Sequence, residues 1–553
     1  MRYLSCLLLL LAMGCGQRPV EPLVPVVPTP HAIADAWFED VAADSGIDFA
    51  YHNGEEADHR TILESLGGGI ALLDYDRDGL LDIFVVGGGR FTTGKPFGIA
   101  GLSNKLYRNM GGWKFADVTN AAGVAGGGFY GHGAAAADYD SDGWTDLLVT
   151  GYAGLTLYRN NRGKFEDVTT KSGLKNPIWA SSAAWGDLDG DGLPDLYVCQ
   201  YVDWSPQNHV PCPSDIAPGG FDVCPPQQYK PLPHFLYRNK GDGTFEDKTV
   251  SCQIRSDGKG LGVLIADLDL DGRPDIYVAN DATDNFLYLN RGPWKFEEVG
   301  VSAGVARDEN GSYDGSMGVD AGDLDGSGRP SLLVTNFQDE WHALYRNLGG
   351  GRFLHQSQAM GLAALGRSFV GFGVAIADFN LDGLKDAVIA HGHVVRFPKG
   401  STVMQLPVLM EGATVGDRRR LMRSASGGAY FSQVKSGRGL AVGDLDNNGR
   451  PDLVISHQNA PVALLRNRAP ARDKGWVGVS GLKPGDRVSL ANSSDPVQFA
   501  RGGGSYLSSS DDRLTIPVFQ SGISIAVRFQ PAWGGVERQI QCIEGKHLML
   551  SKH

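Results

Sequence analysis

A nine-residue acidic motif recurs seven times along this chain, and it restricts the possible folds more than any other feature. It first occurs as Asp74-Tyr-Asp76-Arg-Asp78-Gly-Leu-Leu-Asp82. Complete copies follow at Asp138, Asp140, Asp142 and Asp146, at Asp187, Asp189, Asp191 and Asp195, and at Asp267, Asp269, Asp271 and Asp275. Three copies carry substitutions: Asp323, Asp325, Ser327 and Ser331; Asp378, Asn380, Asp382 and Asp386; and Asp444, Asp446, Asn448 and Asp452. Aspartates on alternate positions repel one another and favour neither helix nor strand. Every substitution keeps a side-chain oxygen, which is the pattern of a hard-cation site rather than of a solvated acidic face.

The spacing fits calcium. The ion takes six to eight oxygens, and a glycine at the sixth position allows the sharp turn that gathers positions one, three and five. Position seven offers a backbone carbonyl and position nine closes the site. Unlike an EF-hand, which closes with glutamate at its twelfth position, each copy here runs straight into an apolar stretch such as Asp82-Ile-Phe-Val-Val or Asp195-Leu-Tyr-Val. Such stretches are strands. Each loop is therefore a strand-to-strand turn around a cation, and structural calcium is the expected cofactor at up to seven sites.

The loop belongs to a longer unit. A strand of small residues precedes it, as in Gly131-His-Gly-Ala-Ala-Ala-Ala137. After the second strand come Leu-Tyr-Arg-Asn, at Leu106, Leu157, Leu236 and Leu344, and then Phe-Glu-Asp-Val-Thr or a relative. Four strands per unit, at spacings of 49 to 80 residues, predict an all-β, seven-bladed β-propeller over 36–468. The last unit lacks its fourth strand, while Trp37-Phe-Glu-Asp-Val41 is a fourth strand without a unit. The N-terminal strand is thus expected to close the last blade. A small β domain over 469–553 follows.

Residues 1–15 have the form of a signal peptide ending in a lipoprotein box, with Cys15 as the lipidated residue. Residues 16–35 are proline-rich and read as an extended tether. Cys212 and Cys224 share an insertion with little core of its own and are candidates for a disulfide. Formal net charge is −13, which argues against a basic nucleic-acid surface. Seven divalent ions would nearly cancel it. Gly89 to Lys95 follows a phosphate-loop pattern, but Pro96 stands where the magnesium-binding hydroxyl would be, so no nucleotide site is expected. The one basic cluster, Arg418-Arg-Arg-Leu-Met-Arg423, reads as a solvated loop, with an acidic glycan or a lipid headgroup as the other readings.

The loop units resemble FG-GAP/VCBS repeats of the integrin α-chain type. With Glu64-Ser-Leu-Gly-Gly-Gly-Ile-Ala and Gly392-His-Val, the whole chain resembles bacterial relatives of cartilage acidic protein. Gly502-Gly-Gly-Ser-Tyr-Leu-Ser-Ser-Ser-Asp-Asp-Arg-Leu514 is similar to the ASPIC/UnbV pattern, although Thr515-Ile-Pro-Val replaces its FGLG stretch. The resemblance implies ligand binding on the face opposite the calcium loops.

Strand order puts the long insertions on that opposite face: 87–105, 200–233 and 391–404 between second and third strands, and 300–317 and 412–428 between units. Trp204, Asp281, Asp284, Trp341, His391, His393 and Arg396 are its candidate ligand residues, with Glu64, His132, Lys259, Asp314 and Arg438 nearer the channel mouth. The expected function is a calcium-stabilised, envelope-anchored binding or adhesion protein with a protein or glycan ligand. Two alternatives stand beside it: an extracellular propeller enzyme acting on polysaccharide, and a structural module without a specific ligand. No catalytic residue is assigned. The chain is expected to be a monomeric exported bacterial lipoprotein, held to the periplasmic or outer envelope membrane through its N-terminal lipid alone.

Overall fold

The structure is a computed structural model that describes residues 36–470, 475–491, 497–519 and 524–550. The expected signal segment with Cys15, and the tether, lie outside the described residues.

Each of the seven acidic loops joins the first two strands of an antiparallel sheet built from four strands of its unit, and the unit-four sheet gains a fifth, Gly502–Gly503, from the far end of the chain. The second strand begins in every unit at the ninth loop residue: Asp82, Asp146, Asp195, Asp275, Ser331, Asp386 and Asp452. The first strands are Ile70–Leu73, Tyr130–Ala137, Ala180–Gly186, Gly260–Ala266, Val319–Gly322, Gly371–Ala377 and Gly437–Gly443. Each packs against the first strand of the next unit, and that of unit seven packs against that of unit one. The strands are apolar on both faces because each sheet is covered by its neighbours. Ile70 and Ile83 of unit one, for example, share a core with Ala441, Val454 and Leu464 of unit seven.

The fourth strand of unit seven comes from the other end of the chain. Phe38–Asp40 pairs antiparallel with Ala460–Asn467, Phe38 opposite Asn467 and Asp40 opposite Leu465. Trp37 and Phe38 are buried by this pairing. Unit six departs from expectation. Residues 412–423 do not form a connecting loop: Val408–Val415 and Arg418–Arg423 are its third and fourth strands, joined by a tight turn. The arginine cluster is therefore an edge strand.

A second body of sheet follows. Gly475–Ser480 pairs with Leu514–Val518 and, in parallel, with His547–Met549. Arg487–Leu490 pairs with Ser524–Gln530, which pairs with Arg538–Ile543. Val477, Val488, Ile516, Val527, Phe529 and Cys542 form its core. From this body, residues 502–511 run in among the seven first strands. The inward edges of those strands carry backbone groups that need partners, and the inserted segment supplies some in six units and meets a side-chain hydroxyl in the other, unit three. Gly502 and Gly503 pair with Ile265 and Leu264. Val319 donates its N–H to the Ser505 carbonyl at 3.0 Å, Ala134 to Leu507 at 3.0 Å, and Leu72 to Ser509 at 3.0 Å. Asp511 donates to the Val442 carbonyl at 3.0 Å. The Ser505 hydroxyl accepts from the Val374 N–H at 3.2 Å, and the Leu507 N–H donates to the Ser182 hydroxyl at 3.2 Å. Glycine is required at the entry because a Cβ on Gly502 would meet the Trp185 carbonyl oxygen at 1.8 Å. Arg501 anchors the segment through its ion pair with buried Asp320, 2.6 Å away.

Candidate metal centres

All seven loops turn on one shared bond. The position-one carboxylate accepts the N–H of the position-six glycine in every copy, at 2.7–3.1 Å. Those glycines have φ between 72° and 93°, the left-handed region where a Cβ is strained. The turn gathers the acidic groups. Carboxylate oxygens of Asp74, Asp76 and Asp78 come within 4.8 Å of one another, as do those of Asp138, Asp140 and Asp146; Asp187, Asp189 and Asp195; Asp267, Asp269 and Asp271; and Asp444, Asp446 and Asp452. Several buried oxygens of these loops, Asp76 Oδ1, Asp267 Oδ1 and Asp446 Oδ1 among them, have no hydrogen-bond partner among the described residues. Such a concentration of buried acceptors calls for a cation.

The position-nine aspartate does more than close the loop. In unit three, Asp195 accepts the N–H of Leu188 at 2.9 Å on one oxygen and the N–H of Asn239 at 2.8 Å on the other. The same two bonds recur on Asp82, Asp146, Asp275 and Asp452. Burial pushes Asp82, Asp146 and Asp195 up to about 8, with neighbouring loop carboxylates adding to it and the backbone amides opposing it. Without a cation, burial favours the protonated form of these three ninth-position carboxyls; an ion at the centre would favour the ionised form.

The Leu-Tyr-Arg-Asn sequence serves the same centres from the third strand. Arg108, Arg159 and Arg238 each reach the position-three and position-five carboxylates at 2.5–3.3 Å. These pairs are solvent-facing and contribute little by themselves. The asparagine contributes more. Asn239 Nδ2 donates to the Pro194 carbonyl of its own loop at 3.0 Å and to the Tyr139 carbonyl of the preceding unit's loop at 2.7 Å. Asn109, Asn160, Asn290, Asn347 and Asn467 repeat the staple. Unit six has Gly412 at this place, and the staple is missing there. The recurrence of this asparagine across internal repeats was the sequence signal for it.

The terminal β body lies on the loop face. Trp533 Nε1 donates to the Asp187 carbonyl at 2.9 Å, and Lys483 Nζ to the Gly192 carbonyl at 2.8 Å. Arg513 donates to the Asp444 carbonyl at 2.8 Å, and the Phe519 ring lies over Gly383. The loop face of units three, six and seven is thus partly covered.

On the opposite face, several expected ligand residues are interior. Trp204 is fully buried, with its ring against Trp179 and Tyr152. His391 and His393 do not act together. His391 stacks on His342, with their Nε2 atoms 3.0 Å apart, while His393 bonds Gln338. Asp281 accepts the Tyr201 hydroxyl at 2.5 Å. Trp341 is half-buried beneath Arg367. Arg438 is buried among carbonyls and over the Phe372 ring, and His132 and Asp314 are buried as well. Cys212 and Cys224 form the expected disulfide, while Cys199, Cys252 and Cys542 are buried free thiols. An open trough of about 720 Å³ remains, lined by His52, Glu55, Glu56, Arg396, Val403 and Asn459. It exists because unit seven turns from second to third strand in a tight bend at Asn459, while the segment before unit one and the insertion of unit six rise on either side. Arg396 holds its floor. It pairs with Asp58 at 2.9 Å and with Glu64, whose carboxyl burial raises to about 7. Sequence reasoning picked out Arg396 and Glu64 but missed His52, Glu55, Glu56 and Asn459, which come together only in the fold.

Repeated four-stranded sheets, each turned on an acidic loop, coincide over part of the chain with FG-GAP-like repeats. The FG-GAP-like repeat family matches residues 74–149, 138–198, 234–278 and 267–334. The chain carries these repeats and is homologous to cartilage acidic protein 1. It is 23% identical to the Mus musculus protein over 407 residues, covering 61% of this chain and 59% of that one. Identity to the Homo sapiens protein is 23% over 408 residues, covering 61% and 58%. The chain therefore spans less than two thirds of the length of these relatives. Among solved structures, an Agrocybe aegerita lectin that recognises non-reducing terminal N-acetylglucosamine aligns with TM-score 0.40 and 18% identity over 71% of this chain and 87% of its own. The BP39L lectin of Burkholderia pseudomallei aligns with TM-score 0.41 and 10% identity over 73% and 97%.

Proposed function

We propose that this chain is a calcium-stabilised, envelope-anchored binding protein. Its seven sheets form a closed seven-bladed propeller, and its ligand, a protein or a glycan, seats on the face opposite the acidic loops. One observation carries the reading of the face. The terminal β body rests on the loop face and residues 502–511 fill the space among the first strands, while the trough at His52, Glu55, Glu56, Arg396 and Asn459 is an open concave surface away from both. The cyclic packing of the first strands and the pairing of Phe38–Asp40 with unit seven support ring closure. The five acidic trios, three of which hold a buried carboxylate oxygen with no hydrogen-bond partner among the described residues, support a hard divalent ion, for which calcium has the matching oxygen preference. The trough offers donors and acceptors of both signs, as recognition of hydroxyl- or amide-rich ligands needs. The test is a glycan-array and envelope-protein screen of the calcium-loaded chain against a Glu56→Arg, Asn459→Ala variant of unchanged melting temperature. Binding that the variant loses supports the trough. Binding that it keeps in full places the ligand elsewhere.

A further inference from the structure

Five of the seven outer strands are acidic, that of unit five, Arg352–His355, has no acid, and that of unit six goes furthest the other way. Units one to four and seven end in Phe-Ala-Asp, Phe-Glu-Asp, Phe-Glu-Asp, Phe-Glu-Glu and Phe-Glu-Asp. Unit six ends in Arg418-Arg-Arg-Leu-Met-Arg423, twice as long as these and free of acids. Leu421 is its one buried side chain; it packs with Met360, Leu362 and Leu365 of the connection from unit five and so fixes the strand in place. The Arg419 guanidinium lies by Gly326 of the unit-five loop. Arg418 and Arg423 are exposed and Arg420 half-exposed, and none of the three has an ion pair or a side-chain hydrogen bond among the described residues. In a chain of net charge −13, where most loop-face arginines are matched to carboxylates, this is an unmatched cationic edge.

Its position matters as much as its charge. The described chain begins beside it. The Trp37 N–H donates to the carbonyl of Ser426 at 2.7 Å, three residues beyond Arg423, and a Cβ on Gly428 would touch Ala36. A lipid anchor at Cys15 would therefore join the fold at the rim that carries the arginines. We propose that the Arg418–Arg423 edge is a docking surface for anionic lipid headgroups, which turns this rim of the anchored protein toward its membrane. The proposal rests on the envelope-anchored reading for its setting, but the strand's affinity does not depend on the anchor. Guanidinium groups suit phosphate oxygens through paired N–H donors. An anionic leaflet repels the rest of an acidic surface, so the field itself selects the arginine rim within a Debye length of the lipid. A lipid anchor alone limits distance but not orientation; a basic patch beside it supplies the second signal.

The test uses the full chain with Cys15→Ala, so that no lipid is attached, and sedimentation with vesicles of equal parts phosphatidylglycerol and phosphatidylcholine or of phosphatidylcholine alone. The expected result is binding to the anionic vesicles that high salt abolishes. Arg418→Gln, Arg420→Gln and Arg423→Gln together should lower that partition on the order of 100-fold, about fivefold for each arginine. An Arg162→Gln, Arg352→Gln control should leave it unchanged. Equal melting temperatures for the variants guard against misfolding, and Arg420→Gln alone gives a milder second point on the same scale. Equal partition of triple variant and parent overturns the proposal and leaves an arginine edge that only discourages strand addition. Loss of binding to polygalacturonate with vesicle binding unchanged overturns it in favour of an acidic glycan. Mass analysis of the Cys15 peptide from the natural chain tests the anchor separately. A free thiol there would sink the anchored reading and leave the vesicle result standing.

Discussion

The loops of units three and five are built on the same turn but hold it in different ways. In unit three, Asp187, Asp189 and Asp195 converge, and Asp195 bridges two backbone amides with its two oxygens. In unit five, Ser327 and Ser331 replace the third and fourth acids. Ser331 has one oxygen and accepts only the Asn347 N–H, at 3.2 Å; the Leu324 N–H turns instead to the Gly322 carbonyl at 3.0 Å. No asparagine from unit six reaches this loop, because Gly412 stands in its place. Asp323 Oδ1 and Ser327 Oγ are buried without hydrogen-bond partners among the described residues. The contrast separates two roles that the motif combines. A hydroxyl can keep part of the hydrogen bonding of an aspartate, but it supplies neither the second acceptor nor the charge.

The largest effect follows from removing the ion from all loops together. Each site at a hundredfold excess over its dissociation constant adds about 2.7 kcal/mol, so five acidic trios acting together give roughly 10 kcal/mol or more. Chelation should lower the melting temperature steeply and loosen the terminal β body, since Trp533 and Lys483 dock on the unit-three loop. Calorimetry and tryptophan emission with and without chelator check this. A melt unmoved by chelator, with no metal left by elemental analysis, would falsify the calcium reading.

Next in size is the direct comparison of the two ninth positions. Asp195→Ala strands two buried amides, at about 1–3 kcal/mol each, and removes a ligand. Ser331→Ala should cost only about 1 kcal/mol, the worth of one long bond. Urea titrations of the two variants read the difference. Equal losses would mean that Asp195 acts through neither of its amide bonds.

A smaller and signed effect comes from pH. Burial holds Asp82, Asp146 and Asp195 at about 8 in the folded chain without an ion, far above the unfolded carboxylate value of about 4. The folded state then binds more protons across that window. Stability of the chelated protein is therefore greatest on the acid side and falls as pH rises from about 4 through 8. Calcium displaces those protons and should flatten or reverse the slope. Melting curves across that range, in chelator and in calcium, decide it; a chelated protein that gains stability toward alkaline pH would show that the cluster is not proton-loaded.

Much of this was legible in the chain. The motif gave the strand-to-strand turn, its period gave the repeated sheet of four strands, and the displaced Trp37–Val41 segment gave the pairing with Ala460–Asn467. What was not legible depends on contacts between distant segments. The Gly502–Leu514 stretch matched a terminal-domain pattern, but its insertion depends on groups of seven distant strands, met by its backbone and by the hydroxyls of Ser505, Ser508, Ser509 and Ser510. His391 and His393 look like a pair at alternate positions, but packing gives each a different partner. The arginine run resembles a loop because its charge masks a strand whose one core contact is Leu421.

The smallest expected effect is also the most discriminating, because its sign should change. Ser327→Asp with Ser331→Asp gives unit five the acidic set of unit three. The ninth-position aspartate could then accept the Leu324 and Asn347 amides together, as Asp195 accepts Leu188 and Asn239. In calcium, a new site at high saturation would add up to about 2.7 kcal/mol, reduced by the missing asparagine staple and by the Arg419 guanidinium against Gly326. In chelator, two further carboxylates beside Asp323 and Asp325 should destabilise the loop by like-charge repulsion. The variant should therefore melt above the parent in calcium and below it in chelator, and isothermal titration should count one additional ion. A variant that melts lower in both conditions would show that the backbone of unit five, and not its side-chain oxygens, sets the difference between the two loops.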